Sequence, residues 1–207
     1  MNPVECHPFE PFLPAEARVL MLGTFPPAEK RWAMRFYYPN FQNDMWRIFG
    51  LLYFGDRDHF VAPEGKHYRL DALKAVLARE GFAFYDTATA VVRTKNTASD
   101  KDLLIVETTD FDALLARLPQ CVAVATAGQL ATETFAKHFQ IAVPKVGNAT
   151  PFAFQGRAMK LWRMPSTSRA YPLKIEKKAA EYGKMIADAM PNSQLATADF
   201  QFLTPIS

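Results

Sequence analysis

The residues best equipped for chemistry gather in one stretch, VLMLGTFPPAEKRWAMRFYYPNFQNDMWRIFG, from Val19 to Gly50. Within it Arg31, Trp32, Arg35, Phe36, Tyr37, Tyr38, Asn40, Gln42, Asn43 and Trp46 bring guanidinium, aromatic and amide groups together at high density. Such a set can stack on a flat ring, hydrogen-bond its edge and meet an anion. Two further polar groups follow apolar runs in the same way: Asp86-Thr87-Ala88, and Met164-Pro165-Ser166-Thr167-Ser168. Hydroxyls and backbone N–H groups in a turn leading towards a helix suit a phosphate. Each group also has a plainer alternative. The aromatics can be core and the amides turn formers, Ser166–Ser168 can be the N-cap of the last helix, and Asp86 can cap the turn into Thr87 and Thr89.

The elements that must position these residues follow from the apolar pattern. Val19–Gly23 reads as a buried strand, and Pro26 and Pro27 end it because neither can continue a ladder. A long loop to Asn40 leads to a helix over Asp44–Tyr53 with Asn43 at its N-cap. Leu70–Arg79 is an amphipathic helix with Leu70, Leu73, Val76 and Leu77 on one face, and Gly81 ends it before a strand Phe82–Tyr85 that closes on Asp86. Thr87–Lys101 carries Arg93, Lys95 and Lys101 among small polar residues and reads as a solvated loop. A short helix Asp110–Leu118, a strand Cys121–Ala125, a helix from Gly128 to Phe139, a short β segment Phe152–Phe154 and a last strand Met159–Met164 follow. Leu173–Met190 is a closing helix with a basic start at Lys174, Lys177 and Lys178. Residues 1–18, rich in Pro and Phe, read as an extended arm, and 191–207 as a tail or surface strap.

Strands alternating with helices predict a three-layer α/β/α sandwich around a mainly parallel, four-stranded sheet, as one domain over residues 1–190. Ligands of such sheets bind at the carboxyl edge of the strands. Gly23-Thr24-Phe25-Pro26, Asp86 and Pro165–Ser168 are therefore expected around one pocket.

Composition sets wider bounds. A net charge of +3 permits a nucleic-acid partner without demanding one, and an aromatic share of 13% leans towards stacking on something flat. Cys6 and Cys121 stand far apart and the His residues are scattered, which argues against a disulfide scaffold and against zinc or iron–sulfur ligation. The apolar runs are too short to span a membrane, and MNPVECHPFEPFLP lacks the pattern of a signal peptide. The expectation is a cytoplasmic monomer with no metal and no cofactor.

In combination LGTFPP, FYYPNFQNDMW, YDTA followed by ASDKDL, and MPSTSRA resemble the uracil-DNA glycosylase superfamily, most closely its hypoxanthine-DNA glycosylase branch. The resemblance spans roughly residues 7–185 and begins with His7-Pro8-Phe9. It implies an α/β sandwich with DNA across the carboxyl edge of a four-stranded parallel sheet. Phe25 stands where the uracil-specific enzymes keep their catalytic Asp, and Met164-Pro165-Ser166-Thr167 lacks the electrophilic His of their second motif. By the resemblance Asn43 is the catalytic residue, Tyr38 stacks on the flipped base and Asp86 hydrogen-bonds its edge. Gly23, Thr24, Phe25 and Asn40 complete the base pocket, and Pro165, Ser166, Thr167, Ser168 and Arg169 hold the DNA.

Three departures surround this pocket and bear on which base is taken. The chain has Asn40-Phe41 where the branch has His-Pro, Arg169 where it has Pro, and Thr126-Ala127-Gly128 where it has an Asn-Gly pair. The activity implied is that of a monofunctional DNA glycosylase acting on a deaminated base in damaged DNA. Two alternatives remain open from the residues: a non-catalytic nucleic-acid binding module of the same fold, and a hydrolase of free nucleosides or nucleotides.

Overall fold

A computed structural model describes residues 2–95, 97 and 99–196. Among them are the strands β1 Val4–Cys6, β2 Val19–Gly23, β3 Phe82–Asp86, β4 Ala88–Arg93, β5 Leu103–Thr108, β6 Ala123–Ala127, β7 Ala149–Phe154 and β8 Arg157–Met164. The α-helices are α1 Met45–Phe54, α2 Leu70–Arg79, α3 Phe111–Ala116, α4 Gln129–His138 and α5 Ile175–Ala189.

The main sheet runs β3-β2-β6-β8-β7, parallel through its first four strands, with β7 antiparallel to β8 at the edge. The four parallel strands are those the apolar runs predict. The short β segment at Phe152–Phe154 lengthens into a fifth strand because Ala149 to Phe154 pairs along β8.

Every residue of β2 is buried, as a strand covered on both faces requires. Its side chains alternate between two cores. Val19 and Met21, with Phe82 and Phe84 of β3, pack under α1, α2 and α5; Leu20 and Leu22 pack with Phe111, Leu114 and Phe135 of α3 and α4. The result is the expected three-layer α/β/α arrangement. α5 joins it through Ala179, Tyr182, Met185 and Ile186, which recur at helical spacing and are buried.

The expectation of a solvated loop over Thr87–Lys101 is corrected. Ala88–Arg93 is β4, the centre of a second, antiparallel sheet of order β1-β4-β5, and Ala88, Ala90, Val91 and Arg93 are buried. Alanine and threonine dilute the strand's alternation, and Arg93 is inside only because Glu5 and the Pro26 carbonyl oxygen accept from it at 3.1 Å. The arm over residues 1–18 is likewise pinned: Val4–Cys6 pairs with β4, and Phe12 bridges to Phe84.

At the far end of the chain the Ala196 N–H donates to the Leu52 carbonyl at 2.8 Å, while residues 197–207 of the expected tail lie outside the described residues. No helix among the described residues is long and apolar enough to cross a membrane.

Phe84 sits where the layers meet. It is fully buried, with the rings of Phe36, Tyr37, Tyr38, Trp46 and Phe49 at centroid distances of 5.3–6.3 Å. Phe84→Ala should lower the unfolding free energy by about 3–5 kcal/mol, measured by urea denaturation. A loss below ~1 kcal/mol would mean that this aromatic cluster is not central to the core.

Candidate functional site

Parallel register brings the strand ends to one edge. Gly23 lies opposite Asp86, Leu22 opposite Thr126, and Ala127 opposite Met164, so the chain leaves β2, β3, β6 and β8 side by side. Asp86 is buried there. Its Oδ2 is 2.9 Å from Nε2 of His7, while Oδ1 presses so closely on Gly23 that a Cβ at that position could not be accommodated. Only glycine admits the carboxylate. His7 is itself fixed, with Nδ1 2.9 Å from the Phe9 carbonyl oxygen and its ring among those of Phe9, Phe25 and Tyr85.

Just past the end of β2, the Thr24 hydroxyl donates to Oδ2 of Asp100 at 2.7 Å. Burial pushes the Asp100 carboxyl above the usual carboxylate range, the Asp86 charge adds to this, and the Thr24 hydrogen bond opposes it. Asp100 also borders Gly128, where a Cβ would lie 3.4 Å from its Oδ2. Phe25 packs beside Ala88, Val91 and Leu103 and meets the His7 ring edge-on at 5.4 Å.

Tyr38 adopts a left-handed backbone conformation, φ 49°, uncommon for a non-glycine residue. Its hydroxyl is buried, has no hydrogen-bond partner among the described residues, and lies 3.4 Å from the same would-be Cβ of Gly23. Burial raises its pKa far above the ordinary phenol value, so the group stays a neutral O–H. The ring meets Trp46 and Phe84 edge-on.

The amides of the loop serve the backbone. Asn40 Oδ1 accepts from the Gln42 N–H and Asn43 Oδ1 from the Met45 N–H, both at 2.9 Å, leaving the Asn43 NH₂ group outside the cap. The helix starts one residue later than expected, at Met45 with Asp44 as its N-cap, and Asn43 precedes the cap and reaches the first turn through the Met45 N–H. Asp44 follows, and its N–H donates to the Thr167 carbonyl at 2.9 Å. Its carboxylate takes Lys178 Nζ at 2.8 Å and lies 3.7 Å from Arg169 Nε.

Lys178 also donates to the Ser168 carbonyl at 2.8 Å, so the turn after β8 is fastened to the start of α1. Within that turn Pro165 and Thr167 are buried, Ser166 is half-buried, and Ser168 and Arg169 are exposed. The Ser166 and Ser168 hydroxyl oxygens accept from backbone N–H groups two residues on, at 3.2 Å each.

Of the residues expected at the site, Gly23, Thr24, Tyr38 and Asp86 converge on the end of β2. Asn40 and Asn43 with Ser166–Arg169 form a second group joined through Asp44. Sequence reasoning gave no role to His7, Asp100, Asp44 or Lys178. Lys178 carried a usable signal, since it falls on the apolar phase of α5 between Ile175 and Tyr182. The others meet partners distant in sequence.

Neither a protein-family model nor a curated protein matches this sequence. A solved structure does match in shape. The solution NMR structure of a candidate uracil DNA glycosylase from Methanosarcina acetivorans is similar with a TM-score of 0.59, over 90% of this chain and 98% of that one, at 19% identity. The fold is uracil-DNA glycosylase-like. Identity this low carries the fold and not the chemistry.

The fastening at Lys178 makes a stability prediction. Lys178→Met strands the Asp44 carboxylate and should cost about 3–5 kcal/mol in urea denaturation, whereas replacing both partners, Asp44→Leu with Lys178→Met, should recover part of it. Equal losses in the single and double variants would show that the ion pair is not what holds the turn.

Proposed function

We propose that the protein is a monofunctional DNA glycosylase that flips a deaminated base from DNA and hydrolyses its N-glycosidic bond. The observation carrying this reading is the end of β2, where a buried carboxylate acceptor on Asp86 and an unpaired phenol O–H on Tyr38 flank one point beside Gly23. An ionised carboxylate only accepts, so it suits a ring N–H such as N1–H of hypoxanthine or N3–H of uracil, while Tyr38 supplies a donor for the adjacent carbonyl. Adenine, with a bare acceptor at N1, would leave Asp86 facing a lone pair.

The transition state resembles an oxocarbenium sugar with a leaving base. Positioning and charge stabilisation therefore suffice. The Asn43 NH₂ group would orient the attacking water, and Ser168 and Arg169 would hold flanking phosphates without reading sequence. The ammonium of Lys178 is committed to Asp44 and Ser168, which favours hydrolysis by water over a covalent amine intermediate.

One observation favours a second reading. The carboxamide oxygen of Asn43 is already occupied by the Met45 N–H, as a purely structural cap would be. A non-catalytic nucleic-acid binding module would have the same geometry.

Duplexes carrying uracil, hypoxanthine, xanthine or an alkylated base, incubated with the protein and then cleaved with alkali at abasic sites, separate the readings. Strand cleavage is expected for at least one deaminated base, and its absence throughout, with DNA binding retained, establishes the binding module. Asn43→Ala should lower the single-turnover rate about 10²–10³-fold with DNA affinity largely kept.

Asp86→Asn should change the relative rates across the same panel, because an amide presents a donor as well as an acceptor. Unchanged ranking would remove Asp86 from base recognition.

A further inference from the structure

We propose that Asp100 is a catalytic residue of this site, the carboxylate that takes a proton from the water attacking C1′. The proposal rests on the glycosylase reading and adds to it the group that activates the nucleophile. Phe25 has no polar atom for this, and the Asn43 oxygen is held by the cap. Asp86 is held by His7 through Oδ2, and the proposed function gives its other oxygen to the edge of the base.

Asp100 differs from all three. It stands over the ends of β2 and β6, between Thr24 and Gly128, with Oδ2 oriented by the Thr24 hydroxyl at 2.7 Å and Oδ1 outside that bond. Two of the nearby cations are paired elsewhere, Arg93 with Glu5 and Lys95 with Asp102. Independently, the buried and unpartnered Tyr38 hydroxyl beside Gly23 marks the same strand end as the place where a ligand's polar atoms are wanted.

The step balances with water alone. The water oxygen bonds to C1′ as the C1′–N bond breaks with its electron pair leaving on the base nitrogen. One water proton passes to Asp100 and then to solvent, and the base nitrogen takes a proton from solvent.

A general base acts as the carboxylate, so the rate should rise with pH through the Asp100 titration and then level. The groups that set this titration, besides burial, are the Thr24 hydroxyl, Asp86 and Arg93. Burial and Asp86 raise the pKa, which places the acid limb above that of an ordinary aspartate. A residue that only pins the loop to β2 would give no such limb.

The test is the pH profile of single-turnover base release from whichever panel duplex the wild type processes fastest. Asp100→Asn should lower the plateau rate about 100-fold and abolish the acid limb while DNA affinity is kept. Thr24→Val, which leaves Asp100 in place, should move the limb to higher pH because it removes a hydrogen bond that favours the charged form. Activity in Asp100→Asn near the wild-type rate, or a limb unmoved in Thr24→Val, overturns the assignment while the glycosylase reading stands. A wild type that releases no base from any duplex overturns both.

Discussion

An ammonium group buried at the mouth of the sheet governs the geometry of one side of the site. Lys178 is fully buried, a placement several kcal/mol unfavourable for an unpaired charge. It is tolerable because Asp44 and the Ser168 carbonyl oxygen each accept from it at 2.8 Å. The start of α1 is thereby tied through one charge to two successive segments near the other end of the chain, the turn after β8 and the first turns of α5. The Tyr182 hydroxyl adds a further tie by donating to the Pro165 carbonyl at 3.3 Å. Asn43 precedes Asp44, so the position of its amide relative to Ser168 and Arg169 is inherited from this buried pair rather than from the loop that carries it.

The other side of the site is built on close approach. β2 ends in Gly23, and the missing side chain is what lets a carboxylate from β3 lie against the backbone. Asp86 is steadied by a ring from the N-terminal arm and Asp100 by the hydroxyl of Thr24 just past β2, and the Asp86 charge adds to burial in raising the Asp100 carboxyl. Tyr38 adds an uncommon backbone conformation and an unsatisfied phenol at the same place. Strained backbone and unpaired polar atoms gathered at one strand end reduce stability locally. Such features persist where the surrounding packing over-determines them, as the aromatic cluster around Phe84 does here.

How much of this was legible in the sequence depends on the range of the interaction. β2, α1 and α2 are written in apolar periodicity, and Asp86 at the end of a strand can be placed from local pattern alone. β4 was not legible because its alanines and threonine give little contrast between faces and its arginine looks solvated until Glu5 is placed beside it. Lys178 was hidden for a different reason: three lysines close together read as a charged surface unless their helical phase is followed. His7-Pro8-Phe9 and ASDKDL were visible as part of the resemblance, but what His7 and Asp100 hold was not, since their partners lie 79 and 76 positions away.

Those separations bear on the order in which the molecule assembles. His7 leaves the ribosome well before Asp86, and Glu5 meets Arg93 across 88 positions, so neither contact can form until β3 and β4 have been made. Closing so long a loop is entropically costly, and the parallel pairing of Val19 in β2 with Ala123 in β6 closes a longer one still. The main sheet takes nothing from Val4–Cys6, whose partner is β4 alone among the described strands. A nascent chain that has reached β4 already holds both partners of each contact, so the aspartate at the carboxyl edge can meet its imidazole before β6, β7 and β8 exist to complete the sheet around it.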